Sequence, residues 1–109
     1  MRIFRITFIN RGNIYLLYAE AVRQAEVYGF VEIEGLIFGE SSSVVIDPGE
    51  EKLKNEFSGV TRTMVPIHAV IRVDEVEKRG QSKIMELGKE TNIAQFPGSL
   101  YTPGKSSDS

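Results

Sequence analysis

The stretch Thr61-Arg62-Thr63-Met64-Val65-Pro66-Ile67-His68-Ala69-Val70-Ile71-Arg72-Val73-Asp74-Glu75-Val76-Glu77 decides how this chain is read. Residues 61–65 have the β-branched, alternating character of a strand. Pro66-Ile67-His68 interrupts it, because proline has no N–H to give to a strand ladder. Residues 69–77 then resume as a second strand, with Val70, Arg72 and Asp74 alternating against Ile71, Val73 and Glu75. A tight, proline-marked turn between two strands is one way in which a small sheet bends back toward closure. Closure itself is left open by the pattern.

Upstream of this stretch the same period of two recurs. In residues 2–9, Phe4, Ile6 and Phe8 face one way while Arg5 and Thr7 face the other. Asn10-Arg11-Gly12-Asn13 is a turn signal, and residues 14–22 return as a second strand of a hairpin. That strand is apolar on both faces at first (Tyr15, Leu16, Leu17, Tyr18), which predicts a central position. Residues 23–28 read equally as a helical turn or as a strand continuing through a bend. Residues 28–38 form a third strand, with Val31, Ile33 and Ile37 on one face and Glu32 and Glu34 on the other. Gly35 predicts a bulge or bend within it. Residues 43–46 read as a short fourth strand. Asp47-Pro48-Gly49-Glu50 is a helix start, with Asp47 as the N-cap, Pro48 at the first helical position and Glu50 facing the positive end of the dipole. Leu53 and Phe57 then share one face of a short helix over residues 48–57, Glu50 and Lys54 are spaced to pair, and Gly59 ends the helix.

The bulk properties narrow the function classes. The chain has 109 residues, 41% of them hydrophobic, which is one domain with one core. It has no cysteine, so disulfide, thiolate and zinc-thiolate chemistry are excluded, and a reducing compartment is the natural setting. No apolar run is long enough to span a bilayer, and the alternating start Met1-Arg2-Ile3-Phe4-Arg5 is unlike a signal peptide. These features predict a cytoplasmic protein that does not enter a membrane. Residues 1–77 carry 8 Lys/Arg against 12 Asp/Glu, a balance of −4, while residues 78–109 carry 5 against 3, a balance of +2. A duplex-DNA binder shows the opposite bias over its folded part, so duplex DNA is not an expected partner. The domain is bounded at residues 1–78, followed by an extra hairpin or docked extension over 79–96 and a Pro, Gly, Ser and Lys tail over 97–109 that reads as disordered.

The chemistry-bearing residues are few. His68 is the single histidine and sits in a turn, with no nucleophile or carboxylate fixed beside it by any motif. Glu32 and Glu34 lie roughly 7 Å apart on one strand face, a spacing open to acid–base or metal chemistry but far commoner on a polar sheet face. Gly29, Gly35 and Gly39 open no phosphate loop, and Ser41-Ser42-Ser43 has no nucleophile elbow. No catalytic residue, metal ligand set or cofactor is therefore expected, and the chain is read as a non-enzyme. The candidate binding surface is Tyr28 with Arg62, His68 and Arg72, because aromatic rings beside cations contact proteins or stack unpaired bases.

The run Tyr28-Gly29-Phe30-Val31-Glu32-Ile33-Glu34, then Leu36-Ile37-Phe38-Gly39-Glu40, Val45-Ile46-Asp47-Pro48 and Glu50-Glu51-Lys52-Leu53, and above all His68-Ala69-Val70-Ile71-Arg72-Val73-Asp74-Glu75-Val76-Glu77, resembles the bacterial domain-of-unknown-function family numbered 1820, found mainly in proteobacteria. The resemblance covers about residues 3–85 and implies a small bacterial protein, with no activity or catalytic residue to carry over. The strand, proline turn and strand are also similar to the last two strands of Sm-like proteins, whose small SH3-like barrels bind RNA and pair by their edges. The helix at residues 48–57 departs from that pattern. The expected fold is thus mainly β: a small SH3-like or Sm-like barrel, or a bent antiparallel sheet of five to six strands, with one short helix. The expected function is a protein-interaction module, self-association included. An Sm-like RNA-binding module is the alternative.

Overall fold

The computed structural model describes residues 2–39 and 47–87. Its elements in chain order are β1 (Ile3–Asn10), β2 (Asn13–Gln24), β3 (Phe30–Ile37), α1 (Pro48–Glu56), β4 (Arg62–Pro66), a 3-10 turn (Ile67–Ala69), β5 (Val70–Val76) and β6 (Lys83–Glu86). The fold is mainly β, as the alternation predicts. Six antiparallel strands form one unclosed sheet in the order β4-β3-β2-β1-β5, with β6 added against β2. Of the two expected forms, the bent sheet is the one adopted. The strand expected at residues 43–46, the second arm of the expected extra hairpin and the tail from residue 97 lie outside the described residues.

β2 is the spine. β1 reaches it through Arg11 and Gly12, both at positive φ (54° and 80°), the backbone that a two-residue hairpin turn requires. On its other side β2 is shared: β6 lies opposite Asn13 to Leu16, and β3 opposite Tyr18 to Gln24. Its two-sided apolar character follows from this central place.

The 3-10 turn forces the sheet to curl. β4 and β5 are the outer strands of the five-strand order, so on a flat sheet they would be about 19 Å apart at ordinary strand spacing. The chain passes from Pro66 to Val70 in four residues, which reach no more than about 14 Å when fully extended and roughly 8 Å in a 3-10 path. At that corner the two edges are therefore drawn together. Pro66 ends β4 there, as the sequence predicts.

The concave side carries the core: Ile6 and Phe8 of β1, Tyr15, Leu17 and Ala19 of β2, Ile33 of β3 and Leu53 of α1. Phe8 and Tyr15 stack at 5.2 Å between centroids, and Phe57 meets Tyr15 edge-on at 6.4 Å. The alternation of β3 departs from the expectation. Val31 and Ile33 pack on the core, but so do Leu36 and Phe38, rather than Ile37 continuing the series. Gly35 changes the phase, with φ of 73°. A Cβ at Gly35 would lie 2.9 Å from the Glu20 carboxylate, so the glycine serves both the bend and the close approach of β2.

α1 begins as its sequence predicts, with Asp47 accepting from the Glu50 N–H at 3.2 Å and Pro48 in the first turn. Leu53 is wholly buried beneath it, worth about 1.5–3 kcal/mol of apolar burial. Glu50 does not pair with Lys54. Its carboxylate accepts backbone N–H bonds from Gly39 and Ser82, both at 3.2 Å, and so pins the end of β3 and the approach to β6 against the helix. The β5–β6 connection passes so close over Tyr18 that a Cβ at Gly80 would be 2.6 Å from the tyrosine hydroxyl. Among the described residues no helix is long and apolar enough to cross a membrane.

Candidate interaction surface

Among the described residues, β4 and β5 at the ends of the five-strand order, and the short β6 beside β2, are paired on one side only. Each leaves a row of backbone donors and acceptors toward solvent, which is the chemistry that takes up another strand. The two end strands are unequal. β4 has five residues and ends in Pro66. β5 has seven and contains no proline. A β-bulge sits at its start, where Phe8 faces Val70 and Thr7 faces Arg72, leaving Ile71 as the extra residue. From Arg72 to Val76 the ladder is regular.

The corner next to β5 is apolar and open. Ile67 donates its N–H to the Gly29 carbonyl at 2.8 Å, which fastens the 3-10 turn to the β2–β3 turn. That bond gathers Val27 (53% exposed), Tyr28 (96%) and Ile67 (53%) at one end of the sheet, with Ile71 (51%) and Val73 (41%) following along β5. His68 is exposed in the same turn. A tyrosine ring almost wholly in water supplies a large amphipathic contact at little entropic cost.

The sequence-predicted surface residues divide. Tyr28 and His68 come together at this corner. Arg62 stands at the opposite end of β4, across from Glu34, and pairs with Glu32 at 3.5 Å. Arg72 lies on β5 and pairs with Asp74 at 2.9 Å. Of the other tyrosines, Tyr15 and Tyr18 are buried. Sequence reasoning missed Val27, Ile67, Ile71 and Val73. A β-branched residue looks the same on a core face and on an open edge, and only the pairing partner tells them apart.

Two ionic clusters lie on the face turned away from the core. In the first, Arg23 donates to Glu32 at 2.6 Å and to Glu34 at 2.8 Å, while Arg62 also reaches Glu32. Glu32 is buried beneath these guanidinium groups, so the Glu32 and Glu34 pair is structural and its charge is matched. A shallow depression of about 550 Å³ beside it is lined by Glu20, Arg23, Glu34, Gly35, Val60 and Thr61, and its one cation is the Arg23 already held by carboxylates. In the second cluster, Arg5 (3.0 Å) and Arg72 (2.9 Å) both bond Oδ2 of Asp74. The hydrogen bond from Arg5, followed by that from Arg72, holds the Asp74 carboxyl below its ordinary value against the opposing effect of burial. On the other face, Arg2 hydrogen-bonds Glu75 through two nitrogens at 3.2 Å and lowers its carboxyl in the same way. Inside, burial raises the Tyr15 phenol, opposed by Asn10 and reinforced by Glu56, whose carboxylate accepts from the hydroxyl at 3.1 Å. No group of three or more metal-ligating side chains converges among the described residues.

Among the described residues, fold and surface together define a small mainly-β domain with an unclosed sheet, one covering helix and one long free edge beside an apolar corner. The chain belongs to the family described as Domain of unknown function (DUF1820), whose profile matches residues 2–98. Comparison with curated proteins and with solved structures gives no match.

Proposed function

We propose that this is a non-enzymatic protein-interaction module of the bacterial cytoplasm, which takes an extended protein segment onto the β5 edge and anchors it at the corner made by Val27, Tyr28 and Ile67. The observation that carries the reading is Tyr28, 96% exposed beside the head of β5, whose outer edge has no partner among the described residues and whose own apolar residues, Ile71 and Val73, are also open to solvent. Backbone pairing supplies affinity in such an arrangement, and apolar anchors supply selectivity. Light scattering on the purified chain and affinity capture from cell extract test it, each run beside Tyr28→Ala and Ile67→Asp. The expected result is a complex, with itself or with another protein, that both substitutions weaken. A strictly monomeric chain that captures no protein overturns the reading.

The RNA alternative rests on Tyr28 and His68, two exposed rings that share the corner and suit base stacking. It would need cations beside them, and Arg62 and Arg72 are each engaged by a carboxylate elsewhere on the sheet. Salt-dependent binding to single-stranded RNA that Arg72→Ala weakens would favour it. Absence of binding at low salt would end it.

A further inference from the structure

The β5 edge is complementary to itself. We propose that its occupant is a second copy of this chain, added antiparallel about a two-fold axis through Val73, so that Arg72 of each copy faces Asp74 of the other. This rests on the reading of β5 as the interaction edge and names its partner.

The register follows from the pleat. Directly opposed residues of an antiparallel pair point to the same face. A two-fold axis perpendicular to the sheet keeps each residue on its own face, so the axis must pass through a residue and not between two. Along the regular stretch of β5, Arg72, Asp74 and Val76 lie opposite Thr7, Arg5 and Ile3, on the face away from the core. Val73 and Glu75 lie opposite Ile6 and Phe4, on the core side. Three centres are then available near the middle. Centred on Arg72, the two copies oppose arginine to arginine. Centred on Asp74, they oppose aspartate to aspartate. Centred on Val73, Arg72 faces Asp74 twice, the half-exposed Val73 meets its own copy beside the buried Ile6, and the exposed Ile71 lies along Glu75. This register alone opposes Arg72 to Asp74 and avoids like charges face to face at the centre.

The existing contacts leave room for it. Both intramolecular bonds to Asp74 fall on Oδ2, so Oδ1 is the atom that Arg72 of the second copy would reach. Glu75 is held by Arg2, which keeps its charge compensated where Ile71 packs along its stem. The interface is a single short strand pair, well under the size of a standard stable interface, and its ion pairs are exposed. The dimer is accordingly weak, in rapid exchange and loosened by salt.

Sedimentation velocity on the full chain over a concentration series up to about 1 mM reads the association, with Arg72→Glu, Asp74→Arg and an equimolar mixture of the two. Wild type forms a dimer. Each single variant sets like charges against each other at both positions and loses roughly tenfold or more in association. In the mixture, Glu at position 72 of one chain faces Arg at position 74 of the other, and Asp74 of the first faces Arg72 of the second. The mixture therefore dimerises although neither component does. A fold defect in either variant would not be repaired by mixing, and circular dichroism on each confirms that it is folded. A wild type that stays monomeric to about 1 mM, a closed ring larger than a dimer, or a mixture that fails to associate overturns the proposal. A monomer that still captures a partner sensitive to Tyr28→Ala overturns the dimer and leaves the interaction reading standing.

Discussion

β4 and β5 are the two ends of one sheet, joined by a three-residue turn, and they solve the problem of a free edge in opposite ways. β4 is short, stops at Pro66, and pairs its leading Arg62 with a buried glutamate. These are the devices by which sheets avoid adding a neighbour. β5 has no proline, runs on for seven residues, and exposes Ile71 and Val73. Its defences are the bulge at Ile71 and the charges of Arg72, Asp74 and Glu75. Chain entropy and hydrogen bonding act on both strands alike, so the difference lies in the side chains. An edge left this open beside an almost fully exposed tyrosine is what the interaction reading explains.

The support behind the two edges also differs, and substitutions there should have the largest effects. β4 is reached through α1, whose one wholly buried residue is Leu53. Leu53→Ala should cost about 2–5 kcal/mol in urea unfolding. Hydrogen exchange should show the amides of α1 and β4 losing protection before those of β5, which is held by a six-residue ladder to β1. Equal loss on both sides would mean that the helix supports the whole sheet and not one end. Next in size is Gly35→Ala. It puts a side chain at φ of 73° and against Glu20, and should cost about 1–3 kcal/mol. Shortening position 20 with Glu20→Ala should recover part of that loss, because the steric share comes from the glutamate.

Substitutions on the edges themselves should change stability by no more than about 0.5 kcal/mol and separate instead by association. Ile71→Asp on β5, which sets a like charge against Glu75 of the second copy, should abolish complex formation, while a charge on β4, Met64→Lys at an exposed position, should leave it unchanged. Light scattering on the pair decides it. If both substitutions act alike, the two edges are equivalent and the comparison fails.

How much of this was legible in the sequence depended on whether a residue's role was local. The Asp47-Pro48-Glu50 cap, the Arg11-Gly12 turn, the break at Pro66 and the central place of β2 are set by neighbours within a few positions, and each was readable. Gly35 was readable as a bend, but the resulting shift of the core side from Val31 and Ile33 to Leu36 and Phe38 was not, because the shift depends on how β2 bends with β3. Glu50 was readable as a capping residue and not as the acceptor for Gly39 and Ser82, which come from 11 positions before and 32 after. The candidate surface failed at the same boundary. Tyr28 and His68 meet because a backbone bond joins Gly29 to Ile67, whereas Arg62 and Arg72 were grouped with them by residue type alone, and pairing carried them elsewhere.

The smallest effect concerns the charge on β5. Asp74 has a folded-state carboxyl value depressed by Arg5 and Arg72. A depressed carboxylate stabilises the folded state fully above its unfolded value, about 3.9 for aspartate, and that contribution is lost as pH falls through the folded value. Thermal unfolding of wild type against Asp74→Asn should therefore show a modest difference at neutral pH that closes on acidification below that range. Association through β5 should fall over the same range, since protonated Asp74 no longer attracts Arg72 of a second copy. Glu75 is depressed by Arg2 in the same direction, but it stands opposite Ile71 in the proposed register, so Glu75→Gln should reproduce the stability change and spare the association. If Glu75→Gln and Asp74→Asn weaken association equally, the two strands pair in some other register.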